Sequence, residues 1–246
     1  MSVQSIGVDN LKTAFNDRIF EVMDHIEYRR IVTQEDFESI GELRSRAFDA
    51  HTVYSRKLNG NAVDESDFGP SAQVYGMYYY GQLASTIRIN LLSPAYPFSQ
   101  SVRLFKSTLA PMVEQGMSFI DPSRFAVDEE LSRDIPGIPL LTLRIPFMAT
   151  TYYNADFCLS LVKAEHAAFY RRVFKATALA GPEEFPGFAI PLVLFASPRE
   201  NEADICARYP LFGYTETERR LMFAKGDGDI LPLNILPTAR LAAKAA

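Results

Sequence analysis

The sequence predicts an α/β (α+β) fold, a mixed central β-sheet flanked by helices. Three observations carry that prediction. The run QVYGMYYYGQLASTIRINLL (73–92) reads as two strands folded on Tyr80-Gly81-Gln82, an antiparallel hairpin. From residue 139 onward, helical and strand-like segments alternate, as in folds that layer helices on a sheet. The chain has 246 residues, 48% hydrophobic and 22% charged. A chain of that size buries roughly 70–75% of its unfolded surface, so its core needs neither disulfides nor a metal.

Each element has its own signal. Leu11, Phe15, Ile19, Phe20 and Met23 recur at helical spacing and predict an N-terminal helix over 9–24. IEYRRIV (26–32) alternates as a strand does. Thr33 then caps a helix with Glu35 and Asp36 in its first turn, where the dipole favours acidic groups. Phe37, Ile40, Leu43, Ala47 and Phe48 form its apolar stripe, and Arg44, four before Phe48, lies on the same face. Residues 55–70 hold Asn59-Gly60, Asp64, Asp67 and Gly69-Pro70, which is loop chemistry. After the hairpin, 101–115 reads as one helix and SFIDPSRFAVD (118–128) as a strand interrupted by Pro122. Helices over 139–154 and 164–175 bracket the strand FCLSLV (157–162). FAIPLVLFAS (188–197) is a strand, 199–209 is helical and 213–224 forms a last strand. The Ala-rich end, LAAKAA, reads as a loose tail. The expected organisation is one main domain over 26–228, a helical extension over 1–25 and a tail over 229–246.

Charge and cysteine content narrow the function. The net charge is −5, and phosphate binding needs a clustered basic surface, so nucleic acid is not the expected partner. Cys158 and Cys206 are too few and too far apart for a disulfide framework or a zinc pattern, and read as reduced thiols; no metal site is expected. The start, MSVQSIGVDNLK, lacks the charged-then-apolar layout of a secretory signal. No run approaches the length of apolar residues that spans a bilayer, so no stable membrane insertion and a cytoplasmic location are expected.

The stretch 118–128 concentrates polar groups. Strict alternation sends Phe119, Asp121, Ser123, Phe125 and Val127 to one face, and Ile120, Pro122, Arg124 and Ala126 to the other. A bulge at Pro122 would re-aim every side chain after it. Either way Asp121 and Ser123 share a face with large apolar residues. A carboxylate there is paired, hydrogen-bonded or raised in pKa, which makes Asp121 a candidate acid–base residue. A structural Asp121–Arg124 pair is the alternative.

Five segments occur in a telling order: LRSRAF (43–48), Tyr54, the aspartates Asp64 and Asp67 three apart, GQLASTIRI (81–89) and D-x-S-R-F (121–125). The series resembles the N-acyl homoserine lactone (autoinducer) synthases and their relatives the N-acyl amino acid synthases, both in the GNAT acyltransferase superfamily. Those families carry L-R-x-x-x-F, an aromatic residue, two aspartates three apart, a glycine seven residues before an arginine on a hairpin, and E-x-S-R-F. The resemblance covers about residues 28–128. KAEHAAFYRRVF (163–174) extends it, looking like the H-x-x-F-Y helix of the N-acyl amino acid synthases. Two departures stand out: Asp121 replaces the usual glutamate, and Tyr54 replaces the tryptophan of the lactone synthases. ELSRDIPGIPLL (130–141) has Arg133 and Gly137 but not the spacing with which acetyl-CoA-dependent relatives cradle pyrophosphate.

The resemblance implies a GNAT-like acyltransferase that moves a fatty acyl group from a thioester to the amine of an amino acid or other small amine. Acyl carrier protein or coenzyme A would carry the acyl group, with no tightly bound cofactor. It implies that Asp121 orients or deprotonates the amine, that Ser123 and Arg124 share its site, and that Tyr170 protonates the departing thiol. Arg44, Phe48, Tyr54, Asp64, Asp67, Arg88, Phe125 and His166 fall at substrate-binding positions by the same resemblance. Since carrier proteins are acidic, Arg144, Arg171, Arg172 and Lys175 are candidates for a docking face. Homoserine lactone synthesis, acetyl-CoA-dependent N-acetylation and a non-catalytic acyl-binding protein are the alternatives.

Overall fold

The computed structural model describes residues 15–51, 53–56, 62–135, 137–224 and 233–245. The first part of the expected N-terminal helix and the Asn59-Gly60 turn lie outside them. Helix α1 occupies 15–23. It leads into β1 (Ile26–Arg30), α2 (Gln34–Ala50), β2 (Ala72–Tyr79), β3 (Gln82–Leu92), α3 (Gln100–Leu104), α4 (Lys106–Glu114) and β4 (Phe119–Val127). Then follow α5 (Glu129–Asp134), α6 (Ile138–Tyr152), β5 (Phe157–Lys163), α7 (Ala167–Phe174), β6 (Thr177–Glu183), β7 (Leu192–Pro198), α8 (Glu202–Arg208), α9 (Glu216–Phe223) and α10 (Ala239–Ala245). The strands form one seven-stranded sheet ordered β1-β2-β3-β4-β5-β7-β6. Only β4 and β5 run parallel.

Local chemistry explains most boundaries. Thr33 and Asp36 close a reciprocal capping box on α2, a feature that contributes about 1 kcal/mol. Tyr80 and Gly81 both take positive φ, the I′ turn that matches strand twist. The expected single helix over 101–115 is two, because the buried Phe105 leaves helical geometry between them. The segment 213–224 is helix α9 rather than a strand. Thr215 caps it by accepting from the Glu218 N–H, and Glu216 and Glu218 fill its first turn, a helix-start signal stronger than the apolar residues behind it. Strand β6 was not expected, since TALAGPE carries Gly-Pro; it survives as a sheet edge, where a missing N–H is tolerated.

Two layers of side chains sandwich the sheet. Ile40 of α2 packs with Ile31 and Val74, while the residues of α3 and α4 pack with Phe119, Leu159 and Leu194. On the opposite face α1, α6, α7, α8 and α9 enclose the largest cluster, with Ile87, Ile89 and Ile120 at its floor. The expected loose end, LAAKAA, begins within helix α10 (Ala239–Ala245), whose Ala239 is fully buried, and before it Ile235 bridges to Tyr28. Arg144 is also corrected. It is wholly buried, paired with both Glu218 oxygens and donating to Tyr28 and to the Leu211 and Gly213 carbonyls, so it cannot belong to a docking face.

Candidate active site

β4 and β5 pair only at Phe119–Phe157 and Ile120–Cys158, and then part. Pro122 sits two residues past the last pair, removing a donor from a stretch that has lost one neighbour. Farther along, Thr86 faces Ala126 but Arg88 faces Ser123, so Arg124 and Phe125 together oppose Ile87. This is a β-bulge, with Arg124 at φ 53. It lies at Arg124–Phe125, not at Pro122 as expected, and it switches the alternation. Asp121, Ser123 and Ala126 belong to the α2–α4 face, whereas Ile120, Phe125 and Val127 belong to the α6 face.

A web of charges occupies the α2 face beside the bulge. The guanidinium of Arg44, fully buried, donates to both Asp67 oxygens at 3.0 and 2.9 Å. Asp64 and Asp67 are brought together by a short turn in which the Asp64 N–H donates to Asp67 and the Asp64 carboxylate accepts from Ser66. Arg88 reaches Asp64 at 2.8 Å and Asp67 at 3.3 Å, and its Nε donates to the Ser123 hydroxyl at 3.0 Å. Arg124 pairs with Asp64 and donates to the Tyr54 hydroxyl at 3.0 Å, with its guanidinium over the Tyr54 ring. Burial alone would raise the Asp64 carboxyl, but Arg124 and Arg88 outweigh it and hold it at about 2. Burial lowers Arg44 to about 10 against the pull of Asp67. Three guanidiniums thus face two carboxylates, leaving one positive charge uncompensated within the web.

A cavity of about 650 Å³ fills the space where β4 and β5 part. On the α2 face it is lined by Phe48, His51, Tyr54, Ser123 and Arg124, with Phe188 opposite. On the other face its walls are Phe125, Leu143, Phe147, Phe169, Tyr170 and Phe174. The cavity therefore runs through the sheet and joins a polar half to an apolar half. Tyr170 and Cys158 face the apolar half. Burial pushes the Cys158 thiol up to about 12, and burial with the nearby Cys158 pushes the Tyr170 phenol up as well. His166 stands at the rim, more than half exposed, beside Glu165 at 3.6 Å.

The sequence-derived site residues therefore divide. Arg44, Phe48, Tyr54, Asp64, Asp67, Arg88, Ser123 and Arg124 converge on the α2 face, and Phe125, His166 and Tyr170 meet the same cavity from the other. Asp121 does not reach it. Its carboxylate is fully buried and accepts from the Ser101 N–H at 3.0 Å and the Ser101 hydroxyl at 2.7 Å. Burial pushes it above the usual carboxylate range, and the serine hydrogen bonds and Arg88 offset part of that. A carboxylate so enclosed anchors α3, whose Gln100 accepts from Arg88, instead of projecting into the cleft. His51 escaped the sequence reading, and Cys158, read there only as a reduced thiol, lines the cavity as well; no local pattern marks a side chain whose role depends on two strands parting.

The sequence profile of the family described as N-acyl amino acid synthase FeeM matches residues 39–198. The chain belongs to the FeeM family of N-acyl amino acid synthases. It is, accordingly, an N-acyltransferase of GNAT-like fold. No curated protein matches the chain directly. Among solved structures, FeeM itself, from uncultured soil microbes, superposes with TM-score 0.61 at 18% identity, covering 73% of this chain and 93% of that one. The coenzyme A-dependent acyl-homoserine lactone synthase BjaI gives 0.54 at 14% identity, over 74% and 89% of the two chains. The AHL synthase LasI gives 0.52 at 14%, over 71% and 89%. At such identities these likenesses concern the fold, and FeeM-family membership rests on the profile over 39–198.

Proposed function

We propose that this protein transfers a fatty acyl group from the pantetheine thioester of an acyl carrier protein to the α-amine of an amino acid, giving an N-acyl amino acid. The observation that carries the reading is the cavity through the sheet, apolar on the α6 face and bearing guanidiniums on the α2 face. The acyl chain occupies the apolar half, where each buried methylene contributes about 0.8 kcal/mol. The acceptor occupies the half beside Arg124, and its carboxylate supplies the negative charge that two aspartates leave unmatched against three arginines. Phe48 and Tyr54 wall that half, and Asp64, Asp67, Arg44 and Arg88 hold Arg124 in place.

A thioester is already activated, so direct attack by the amine needs no covalent enzyme intermediate. Three tasks remain: the amine must shed protons, the tetrahedral oxyanion needs donors, and the sulfur must leave. We assign the oxyanion to backbone N–H groups of the bulged strand, an interaction that contributes about 3–4 kcal/mol per good donor. Tyr170 retains its proton at neutral pH and sits in the apolar half where the sulfur departs, suiting it to protonate the thiolate. Asp121 serves as a positioning residue behind Ser123 and Arg88. His166 and Phe125 bracket the pantetheine path at the rim and bulge. The lack of a pyrophosphate cradle spacing at Arg133–Gly137 favours a carrier protein over coenzyme A, and Arg171 and Arg172 on α7 offer its acidic surface a docking face. We propose a cytoplasmic location, where acyl carrier protein and free amino acids meet. Among the described residues no helix is long and apolar enough to cross a membrane.

The test incubates purified protein with palmitoyl-acyl carrier protein, or palmitoyl-CoA in parallel, and a mixture of the common amino acids with S-adenosylmethionine. Mass spectrometry should find a palmitoyl amino acid, formed faster from the carrier protein. An acyl lactone, or acyl binding with no product, would overturn the reading.

A further inference from the structure

The proton that leaves the acceptor's ammonium needs a destination, and the expected carboxylate, Asp121, lies behind the cavity wall with both oxygens engaged by Ser101. The groups on the acceptor half can be taken in turn. Arg124 is a cation bonded to Asp64 and Tyr54, and the Tyr54 hydroxyl accepts from it. The Ser123 hydroxyl accepts from Arg88, as does the Gln100 amide oxygen at 3.5 Å. None of these has both basicity and a free lone pair.

His51 has both. It is the C-cap residue of α2, where its backbone N–H is satisfied by Ala47, so the helix end positions the residue without using its ring. The residue is solvent-exposed and lines the cavity along with Phe48 and Tyr54, three positions from each in the chain. Among the described residues the imidazole has no hydrogen bond, ion pair or ring contact. Its immediate charged neighbours on α2 are engaged elsewhere: Arg46 lies 3.5 Å from Asp128, and Asp49 is itself partnered. Across the gap, Glu165 sits at the rim between Lys163 and His166, while Glu202 accepts from Thr151 and Tyr214 at the far end of the apolar half. Tyr170 and Cys158 are held protonated there. Among the described residues, His51 is the one uncommitted base that shares the acceptor's half.

We infer that His51 is the general base of this acyl transfer. An imidazole is the side chain that ordinarily exchanges its proton between pH 5 and 8. In the step, the ammonium gives one proton to His51 and the freed lone pair forms the C–N bond on the thioester carbonyl. The C–S bond then breaks, the sulfur leaves with its electron pair and takes a proton, and the nitrogen loses its second proton as the amide forms. The balance is one amide, one thiol and one proton, with no oxidant or further reactant.

The inference rests on the acyl-transfer reading, and the experiment separates the two. With the full chain, palmitoyl-acyl carrier protein and the acceptor found in the screen above, His51→Gln should lower kcat about 10²–10³-fold. The KM for the carrier protein should stay unchanged, and the acid limb of the pH profile of kcat/KM should disappear. His51→Ala should regain part of its rate when imidazole is added to the buffer. Wild-type kcat with an intact acid limb, or a loss confined to the acceptor's KM, would show that His51 does not take the proton. A fall in melting temperature that accounts for the lost rate in both variants would make it structural and also defeat the inference. No product from the wild-type protein would sink the acyl-transfer reading, and this assignment with it.

Discussion

Asp64 receives Arg88 on one carboxylate oxygen and Arg124 on the other, and no other residue of the web ties two arginines from different strands so directly. Its carboxyl is held at about 2, below its ordinary value, so its contribution to stability is present at neutral pH and lost as pH falls from about 4 toward 2. A fully buried group so shifted would contribute about 2 kcal/mol. The side chain is 34% exposed, and screening reduces that to about 1 kcal/mol. Asp64→Asn should therefore cost about 1 kcal/mol in urea unfolding at pH 7, and its stability should fall less steeply than the wild type's between pH 4 and 2. Turnover should drop as well, because Arg124 loses the partner that holds it over Tyr54. Arg44 and Asp67 form a different kind of pair, buried on both sides. Arg44→Met alone leaves Asp67 with Arg88 and the Asp64 N–H, so it should cost less than the roughly 3–5 kcal/mol of a fully stranded buried charge, and the double variant with Asp67→Leu should recover part of that loss. A double-mutant unfolding cycle checks both values.

At the scale of elements, the approach of α1 to α6 depends on one glycine. Gly137 sits at φ 156 before α6, and a Cβ there would lie 2.3 Å from the Ile19 side chain of α1. Gly137→Ala should force the buried Ile19 side chain to shift and strain the positive-φ backbone, costing about 1–3 kcal/mol, seen as a lower melting temperature and faster hydrogen exchange over 15–23. The elements that the sequence announced are those whose cause is local. Thr33 with Asp36, the Tyr80-Gly81 turn and the apolar stripe of α2 each lie within a few residues and were legible. The charged web was legible too, because Arg44, Asp64, Asp67, Arg88 and Arg124 occupy motif positions. What could not be read was set by distant partners. Asp121 turns to Ser101, twenty residues away, and the bulge moves from Pro122 to Arg124 because β3 registers on both sides of it. The segment 213–224 reads as a strand, and the Thr215 cap with Glu216 and Glu218 in the first turn makes it helix α9.

Over the whole molecule, if the apolar half of the cavity holds the acyl chain as proposed, its length sets which chains fit. Thr150, on α6, lines it and is nearly buried. Thr150→Phe should shorten that half. Losing the burial of two methylenes costs about 1.6 kcal/mol, so the KM for the longest accepted donor should rise at least about tenfold while shorter donors are unaffected. A chain-length series of acyl donors reads this directly. The passage between β4 and β5 has one more effect, on what happens after bond formation. With the acyl chain in the apolar half and the acceptor beside Arg124, as proposed above, the product would have its hydrocarbon and its anionic head on opposite faces of the sheet, and both would have to leave by the gap between the parted strands. Escape should then limit the cycle, with rapid mixing showing one equivalent of product formed quickly before a slower steady phase whose rate falls as the tail grows bulkier.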